Sequence, residues 1–226
     1  MVSSIEKRFW RWQQIGVKSF NTNVPRHKSG EFHLEFLMSR GLLPYHSFLD
    51  IGCGALRTGL NVIPYLNKGN YYGFDKEGEL IGLASQYIIS MYNLAEKRPM
   101  LAISDQIPFS SDMKFNFMWA HSVFSHLKPE DVKTLLMEVS LCLKEGGKFF
   151  ATFHEGERID VGRKHVWRTH GEEFERVEYP FSFFQDMAAR FGLKAELLGH
   201  WRHESCRPDR PVTDQAQKMM EFRLAE

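Results

Sequence analysis

The chain has 226 residues, and its 29 lysines and arginines almost balance its 28 aspartates and glutamates, giving a net charge of +1. With so small a net charge, the electrostatic field of the whole molecule does not attract it to nucleic acid or anionic lipid. Hydrophobic residues at 43% and charged residues at 25% are ordinary values for a globular domain, and they exclude a disordered, collagen-like or disulfide-framework protein.

The first 30 residues differ from the rest of the chain in charge and in aromatic content. They hold six basic residues against one acid, with Phe9, Trp10, Trp12 and Phe20 between them. An amphipathic lid helix with a solvated basic face explains this pattern, and so does a cap that closes over an anionic or flat ligand. A nucleic-acid arm is a third interpretation, which the balanced charge of the remaining sequence disfavours. We expect residues 1–46 to form a helical cap, with Trp12 in contact with the substrate.

From residue 47 onward, segments typical of strands alternate with segments typical of helices. Short apolar runs predict strands at Ser47–Cys53, Tyr71–Asp75, Met100–Ser104, Phe115–His121, Lys148–Phe153, Lys194–Leu198 and Lys218–Leu224. Apolar periodicity and turn residues predict helices that end near Leu66, span Glu77–Leu94, run from Pro129 towards Gly146, and cover Phe181–Phe191. Such alternation predicts an α/β protein with a mostly parallel sheet and helices on both faces. In such sheets, ligands bind beyond the carboxyl ends of the strands.

The first two strand ends carry the most informative residues. The first strand ends in LDIGCG, which puts Gly52 and Gly54 in a turn where the backbone can come close to a ligand. Asp50 lies just before this turn, and Asp75 ends the second strand, 23 residues after Gly52. A carboxylate at that second position can accept both hydroxyl protons of a ribose. Together these residues predict a site for a nucleoside cofactor.

Two cofactors fit this layout. A dinucleotide site needs the pattern G-x-G-x-x-G, but Arg57 occupies the place of the third glycine. Asp50 would also place a negative charge near the phosphates of a dinucleotide, which is unfavourable. S-adenosylmethionine has no phosphate, and its amino group and sulfonium are positive, so an acid beside the turn is favourable. The residues therefore favour S-adenosylmethionine over NAD.

Over about residues 47–155, the chain resembles the class I S-adenosylmethionine-dependent methyltransferases, through LDIGCG, Asp75 and the KEGGKFFATF segment. The resemblance implies a Rossmann-like, doubly wound sheet of seven mostly parallel strands, the last antiparallel, in a domain over residues 47–226. It also implies that Asp75 holds the ribose. The full set of cofactor contacts that we expect is Asp50, Gly52, Cys53, Gly54, Asp75, Lys76, Asp105, Gln106 and His121.

Histidines at strand ends are the candidates for proton transfer. His121 follows the fourth strand and His154 follows the fifth, so we predict that one of them takes the proton of an alcohol acceptor. We interpret His126, just before the next helix, as structural. Arg57 is positioned to hold a carboxylate or phosphate of the substrate, or to pair with Asp50.

Residues 156–180 are too long for a simple connection, and we expect a lid or binding loop there. Arg163 and Trp167 belong to a basic and aromatic cluster in this segment that could grip a phosphate, a carboxylate or a sugar. A solvated loop is the alternative interpretation. The histidines lack the spacing of metal ligands, so no metal site is predicted.

The location of the protein is inferred from its cysteines and its N-terminus. Cys53, Cys142 and Cys206 are far apart and form no C-x-x-C pair, which favours a reducing compartment. The N-terminal segment carries charges and tryptophans where a signal peptide has an apolar core. No stretch approaches the roughly 18 apolar residues of a membrane span. We therefore expect a cytoplasmic protein.

The acceptor is the least determined part of the prediction. No Asn/Asp-Pro-Pro-Tyr follows the fourth strand, where the chain reads WAHS, so a base of a nucleic acid is disfavoured. We expect methyl transfer to a hydroxyl of a small polar or anionic acceptor. The phrases LDIGCGALRTG and YLNKGNYYGFDK resemble small bacterial methyltransferases associated with surface polysaccharides, which favours a sugar or glycan precursor.

Three alternatives remain open at this stage. An RNA or protein methyltransferase would bind its polymer through residues 1–30 and 163–168, and RNA binding would be salt-sensitive. A non-catalytic subunit would bind S-adenosylmethionine without turnover. A nicotinamide dehydrogenase is disfavoured by Arg57 and Asp50. The sequence leaves the oligomeric state open, because one scaffold serves many acceptors and assemblies.

Overall fold

A computed structural model of the chain describes residues 26–110, 112–166, 173–201 and 217–225. Side chains are described for these residues except at 26–29, 163–166 and 173–174. The described strands are β1 (Phe48–Ile51), β2 (Tyr71–Asp75), β3 (Met100–Ile103), β4 (Phe115–Ala120), β5 (Leu143–Glu155), β6 (Asp160–Val166), β7 (Glu173–Tyr179), β8 (Leu193–His200) and β9 (Lys218–Leu224).

The described helices are α1 (Arg26–Ser39), α2 (Gly59–Tyr65), α3 (Gly78–Leu83), α4 (Ile89–Met91), α5 (Pro129–Cys142) and α6 (Phe181–Arg190). A π-helical segment at Ala84–Ile88 joins α3 to α4, so the predicted second helix is continuous in space but not α-helical throughout. The helix α5 begins at Pro129 as predicted, because proline is well suited to the first helical turn.

The sheet has the predicted doubly wound order. The strands β3, β2, β1, β4 and β5 are neighbours in that sequence, and each adjacent pair is parallel. The strand β9 then pairs antiparallel with β5, and β8 pairs antiparallel with β9. These seven strands confirm the predicted fold class, including the antiparallel last strand.

Two hydrophobic clusters lie against this sheet, as a doubly wound arrangement requires. One cluster contains the buried stripe of α5 and the inner face of α6, including Leu136 and Phe184. The other contains the buried residues of α1, α2 and α3, including Leu37 and Ile63. The four residues of β1 are all buried, which is typical of a central parallel strand covered on both faces.

The segment predicted as a lid insertion near residues 156–180 contributes two further strands. The strands β6 and β7 form an antiparallel pair, and the end of β7 pairs parallel with the end of β5. His154 and Glu155 of β5 lie opposite Glu178 and Tyr179. Val177 and Tyr179 are buried. The hairpin is thus attached to the sheet beside the end of β5.

The helix α1 is attached to the core rather than separated from it. Its Leu37 and His33 are fully buried, and Leu42 after the helix is 1% exposed. Residues 1–25 of the predicted cap lie outside the described residues. Among the described residues, no helix combines the length and the apolar character that crossing a membrane requires.

Candidate active site

A cavity of about 690 Å³ lies at the carboxyl ends of the parallel strands. Its wall includes Gly52 after β1, Asp75 at the end of β2, Asp105 and Gln106 after β3, and His121 after β4. Parallel strands bring these residues to one edge of the sheet although they are far apart in sequence. A cavity of this size is in the usual range for a small-molecule or cofactor site.

The carboxylate of Asp75 is held by two backbone donors. The Gly54 N–H donates to Asp75 Oδ2 and the Glu77 N–H donates to Asp75 Oδ1, each at 2.9 Å. An ionised carboxylate has about four lone-pair sites, so each oxygen keeps capacity for a further donor. The arrangement fixes the carboxylate in the cavity wall, where it can accept hydrogen bonds from two neighbouring hydroxyls.

The glycine turn allows a close approach that a side chain would prevent. Gly52 and Gly54 have φ values of +66° and +53°, a region that favours glycine. A Cβ on Gly52 would lie 2.6 Å from Cγ2 of Val123, which is another residue of the cavity wall. The Cys53 N–H donates to the Phe74 carbonyl at 3.0 Å and ties the turn to β2. The turn therefore places bare backbone at the cavity.

Asp50 and Cys53 are buried beside this turn and do not belong to the cavity wall. Asp50 accepts a hydrogen bond of 2.6 Å from the Tyr71 hydroxyl. Burial raises the pKa of Asp50 to about 7, and the Asp75 charge adds to the rise, while the Tyr71 hydrogen bond and the Arg57 charge oppose it. Burial also raises the pKa of the Cys53 thiol. The structure thus places Asp50 under the turn, where it supports Tyr71.

Arg57 is partly buried and does not line the cavity either. Burial lowers its pKa, and the charge of Asp50 opposes that shift. Of the two roles considered for Arg57, this electrostatic coupling favours the pairing with Asp50. Because Arg57 lies outside the cavity wall, its position does not support a direct contact with a ligand in the described cavity.

Several wall residues were missed by sequence reasoning. They belong to β1 and β2, to the loops after β2, β3 and β4, to α3 and to one side of α5: Ile51, Phe74, Glu77, Leu80, Ser104, Val123, Leu127, Asp131, Thr134, Leu135 and Glu138. Ser122, the residue after His121, lies in the wall as well. His126, interpreted as structural, also lines the cavity. The helical stripe of α5 shows which residues are buried, but only the packing of the helix shows that its edge borders a cavity. Lys76, which was predicted, lies in the wall.

The ring of His121, in the cavity wall, is hydrogen-bonded to a tryptophan that belongs to a cluster of packed aromatic side chains. Its Nε2 accepts the Trp201 indole N–H at 3.0 Å. The ring of Trp201 packs against Phe32 and Phe36 of α1 at centroid distances of 4.8 and 5.2 Å. The His33 ring lies 4.4 Å from the His121 ring. The helix α1 and the residue after β8 thus fix the imidazole that follows β4.

Beneath this group, Thr58 joins α1 to β4. The buried Thr58 Oγ1 accepts the Trp119 indole N–H at 3.1 Å and lies 2.9 Å from His33 Nδ1. His154 lies near the same strand ends, with its Nε2 at 3.4 Å from Gln217 Nε2. Of the remaining predicted contacts, Trp12 and Trp167 lie outside the described residues. Arg163 lies in β6 with its side chain undescribed.

Residues 49–149 match a family model described as a methyltransferase domain. The matched region begins in β1 and contains the glycine turn, Asp75, Asp105 and His121 of the cavity wall. The match supports the resemblance of this chain to the class I methyltransferases. The fold confirms this resemblance independently, through the strand order and the antiparallel β9.

Solved structures of methyltransferases share the fold of this chain. An S-adenosylmethionine-dependent methyltransferase from Clostridium acetobutylicum ATCC 824 is 15% identical, with a TM-score of 0.71 over 97% of this chain and 100% of that one. A magnesium protoporphyrin IX methyltransferase from Synechocystis PCC 6803, with bound S-adenosylmethionine, is 12% identical, with a TM-score of 0.60 over 100% of this chain and 86% of that one. A glycopeptide N-methyltransferase complexed with sinefungin is 12% identical, with a TM-score of 0.66 over 86% of this chain and 93% of that one.

The cavity of this methyltransferase fits S-adenosylmethionine, the cofactor of the family. Asp75 presents a fixed carboxylate where a ribose needs two acceptors, and the Gly52 turn leaves room that a Cβ would take. The acidic lining from Asp75, Glu77, Asp105 and other residues suits a cofactor that carries positive charge. The match to a methyltransferase domain and the form of this cavity together support an S-adenosylmethionine-dependent methyltransferase.

Proposed function

We propose that this methyltransferase transfers a methyl group to a hydroxyl of a small polar or anionic acceptor, with a sugar or glycan precursor as the best candidate. The observation that carries the proposal is the position of two imidazoles at the strand ends beside the cofactor cavity. His121 lies in the wall itself, and His154 is joined through Gln217 to Ser122 of the wall. An alcohol needs a base for its proton, and histidine is suited to this near neutral pH.

The cofactor side of the proposal follows the cavity wall. Asp75 would hold the ribose hydroxyls, and Asp105 and Gln106 would border the adenine. Gly52 would give the backbone surface beside the methionine part, with His121 facing the same end. These roles are supported by the wall positions of all five residues.

The chain's own residues contribute positioning and proton transfer. Bound S-adenosylmethionine supplies a methyl group that is already activated by the positive sulfonium. Holding the acceptor oxygen in line with that methyl group and excluding water supply much of the rate. A histidine at the strand ends would take the hydroxyl proton as the new bond forms.

Four further residues belong to the proposed contacts with the acceptor. Trp12, Arg163, Trp167 and Arg57 would contact the acceptor, and a pairing with Asp50 is the alternative role of Arg57. The cytoplasmic location inferred from the cysteines is proposed on the same terms. The two cysteines that the structure describes, Cys53 and Cys142, are free thiols.

Isothermal titration with S-adenosylhomocysteine tests the cofactor site. We expect micromolar binding by the wild type, no binding of NAD, and at least a tenfold loss of affinity in Asp75→Ala, because a ligand hydroxyl would lose its charged acceptor. The matched control is Asp112→Ala, which removes an exposed acid outside the cavity wall and should bind as the wild type does. If the folded wild type does not bind S-adenosylhomocysteine, the proposal is wrong.

A methyl-transfer screen tests the acceptor. Radiolabelled S-adenosylmethionine is incubated with the protein and with nucleotide sugars, oligosaccharides, small amines, peptides and RNA in separate reactions. We expect label in the carbohydrate fractions as an alkali-stable methyl ether. Label confined to amines, peptides or RNA would overturn the hydroxyl assignment, and salt-sensitive labelling of RNA would favour the polymer alternative.

A further inference from the structure

Ser122 has an unusual backbone conformation at the cavity wall. Its φ is +60°, a left-handed value that costs a residue with a side chain free energy relative to glycine. Its N–H donates to Oγ1 of the fully buried Thr152 at 2.8 Å, and its carbonyl accepts the Ser125 hydroxyl at 3.1 Å. Neighbouring groups therefore hold this strained residue in place, which points to a role for the direction of its hydroxyl.

The hydroxyl of Ser122 points to Gln217, the residue before β9. Ser122 Oγ lies 3.1 Å from Gln217 Oε1 and 2.9 Å from Gln217 Nε2. Gln217 Nε2 lies 3.4 Å from His154 Nε2, so the amide N–H is directed at that ring nitrogen. Ser122, Gln217 and His154 are all half-buried, and a small ligand can therefore reach them without unfolding the site.

The two candidate bases differ in how firmly Nε2 is held. An indole N–H can only donate, so the 3.0 Å contact from Trp201 fixes His121 Nε2 as an acceptor inside a buried aromatic group. The 3.4 Å contact at His154 Nε2 is longer than a normal hydrogen bond. An acceptor hydroxyl can replace that contact at little cost, whereas it would have to displace the Trp201 donor at His121. Catalytic hydrogen bonds are often long before the substrate binds.

We propose that Ser122, Gln217 and His154 form the subsite for the acceptor hydroxyl, with His154 as the base and His121 as a positioning residue. This inference rests on the proposed function and names the residues that carry its chemistry. The lone pair of His154 Nε2 faces the Gln217 amide, whose long contact the acceptor hydroxyl would replace, and Ser122, which Gln217 also contacts, gives the incoming hydroxyl a second partner. Trp201 keeps His121 in the neutral Nδ1–H tautomer.

The reaction at this subsite is balanced in atoms and charge. The acceptor oxygen forms a bond to the methyl carbon while the carbon–sulfur bond breaks, and the bonding electron pair stays on sulfur. The hydroxyl proton moves to His154 Nε2, so the positive charge of the sulfonium ends on the imidazolium. His154 then returns that proton to water before the next turnover.

A single backbone contact links the residues that hold the two histidines. The Trp201 N–H donates to the Gln217 carbonyl at 2.7 Å. Trp201 fixes His121 and Gln217 fixes His154, so this pairing sets both imidazoles from one place in the fold. Among the described residues, charged groups near His154 include Glu178 opposite it in β7, with its partner Arg176, and the Glu155–Lys218 pair.

Nitrogen NMR of protein labelled at the histidine rings tests the assignment in the complex with S-adenosylhomocysteine. We expect an unprotonated acceptor Nε2 in both His121 and His154 near pH 8. Trp201→Phe should shift the Nε2 signal of His121, and Gln217→Leu should shift that of His154, each leaving the other ring largely unchanged. A protonated Nε2 on His154, or no response to Gln217→Leu, would overturn the subsite.

Steady-state kinetics distinguish a catalytic base from a structural residue. The acceptor is the fraction that becomes labelled in the methyl-transfer screen. His154→Gln should lower kcat about 100-fold or more without weakening S-adenosylhomocysteine binding. Gln217→Glu should move the acid limb of the pH profile up by about one unit, because a carboxylate beside the ring favours the imidazolium. The control is His200→Gln, at an exposed ring outside the cavity wall.

The possible failures are distinguishable. Wild-type kcat in His154→Gln, together with intact methyl transfer, would overturn the subsite and leave the proposed function standing. Loss of kcat in His121→Gln, with His154→Gln unaffected, would reverse the assignment of the two histidines. Absence of S-adenosylhomocysteine binding would instead remove the function on which the subsite rests.

Discussion

Gly52 is the residue whose missing side chain matters most to the cofactor cavity. Its φ is +66°, and a Cβ would lie 2.6 Å from Val123 in the wall. Gly82 in α3 is a natural comparison, because a Cβ there meets nothing within 4 Å and its φ is an ordinary negative value. Substitution by alanine should therefore have opposite effects on the free energy of unfolding at these two glycines.

Gly52→Ala should lower the free energy of unfolding by about 1–3 kcal/mol, through left-handed strain and the clash with Val123. Its affinity for S-adenosylhomocysteine should fall at least tenfold. Gly82→Ala should stabilise by about 0.5–1 kcal/mol, because alanine is the better helix former. Urea unfolding and isothermal titration of both variants measure this, and equal effects at the two sites would contradict the turn geometry.

Asp50 makes stability depend on pH. Its pKa is 3.8 as an ordinary carboxyl and about 7 in the fold, where burial favours the neutral form. The folded state therefore binds the proton more tightly than the unfolded state. Between these two pH values, the contribution of Asp50 to the free energy of unfolding falls as pH rises, by at most about 1.4 kcal/mol per unit, and it levels off above pH 7.

Asp50→Asn should remove this dependence, because an amide keeps an acceptor for the Tyr71 hydroxyl but does not ionise. Urea unfolding at pH 5 and pH 8 measures the effect. From pH 5 to pH 8, the wild type should lose about 2–3 kcal/mol relative to the variant. Parallel stabilities across that range would show that Asp50 is not a buried acid of raised pKa.

At the scale of elements, α1 shows that a segment with weak sequence signals can be part of the core. It is the described part of the cap expected over residues 1–46, and its Leu37 is fully buried among residues of the sheet and of α2. The neighbouring Met38 is 47% exposed. Substitutions at these two adjacent positions should therefore differ in their effect on stability if the helix is packed against the core.

Leu37→Ala should cost about 2–5 kcal/mol, because it removes buried methyl groups from a packed cluster. Met38→Ala should change stability by less than about 0.5 kcal/mol, as is usual at exposed positions. Urea unfolding of the two variants checks this. If Leu37→Ala were as mild as Met38→Ala, the helix would be a detachable cap and not a core element.

The elements also show where sequence patterns were sufficient and where they were not. The period of α5 and the apolar runs of β1 and β4 predicted these elements, because a fully buried strand or a one-sided helix leaves a direct pattern. The hairpin of β6 and β7 was expected only as a lid or loop. Its pairing with the end of β5 depends on His154 meeting Glu178, more than 20 residues away. Such long-range pairing leaves no local period.

At the scale of the whole molecule, the parallel sheet collects single residues from separate strand ends into one cavity. Ligand binding to this cavity stabilises the folded chain by mass action. At a concentration of 100 Kd, S-adenosylhomocysteine should contribute about 2.7 kcal/mol. For a chain of this size, that free energy corresponds to a rise in Tm of roughly 5–10 °C.

Thermal unfolding of the wild type, Asp75→Ala and Asp112→Ala with a fixed concentration of S-adenosylhomocysteine measures this coupling. The wild type and Asp112→Ala should show the full rise in Tm, and Asp75→Ala, with an affinity at least tenfold lower, should show about half of that rise or less. An undiminished rise in Tm in Asp75→Ala would place the ligand somewhere other than the described cavity.

The sequence by itself determined the fold class, the order of the main elements and the cofactor. The reason is that these depend on local features: apolar periods, the LDIGCG turn and an acid at the end of β2. The tertiary structure decided that Asp50 accepts the Tyr71 hydroxyl outside the cavity wall, that α5 borders the cavity, and that Trp201 and Gln217 contact the two histidines. These hydrogen bonds join residues 21 to 95 positions apart, such as Ser122 and Gln217, and no local pattern encodes such a distance.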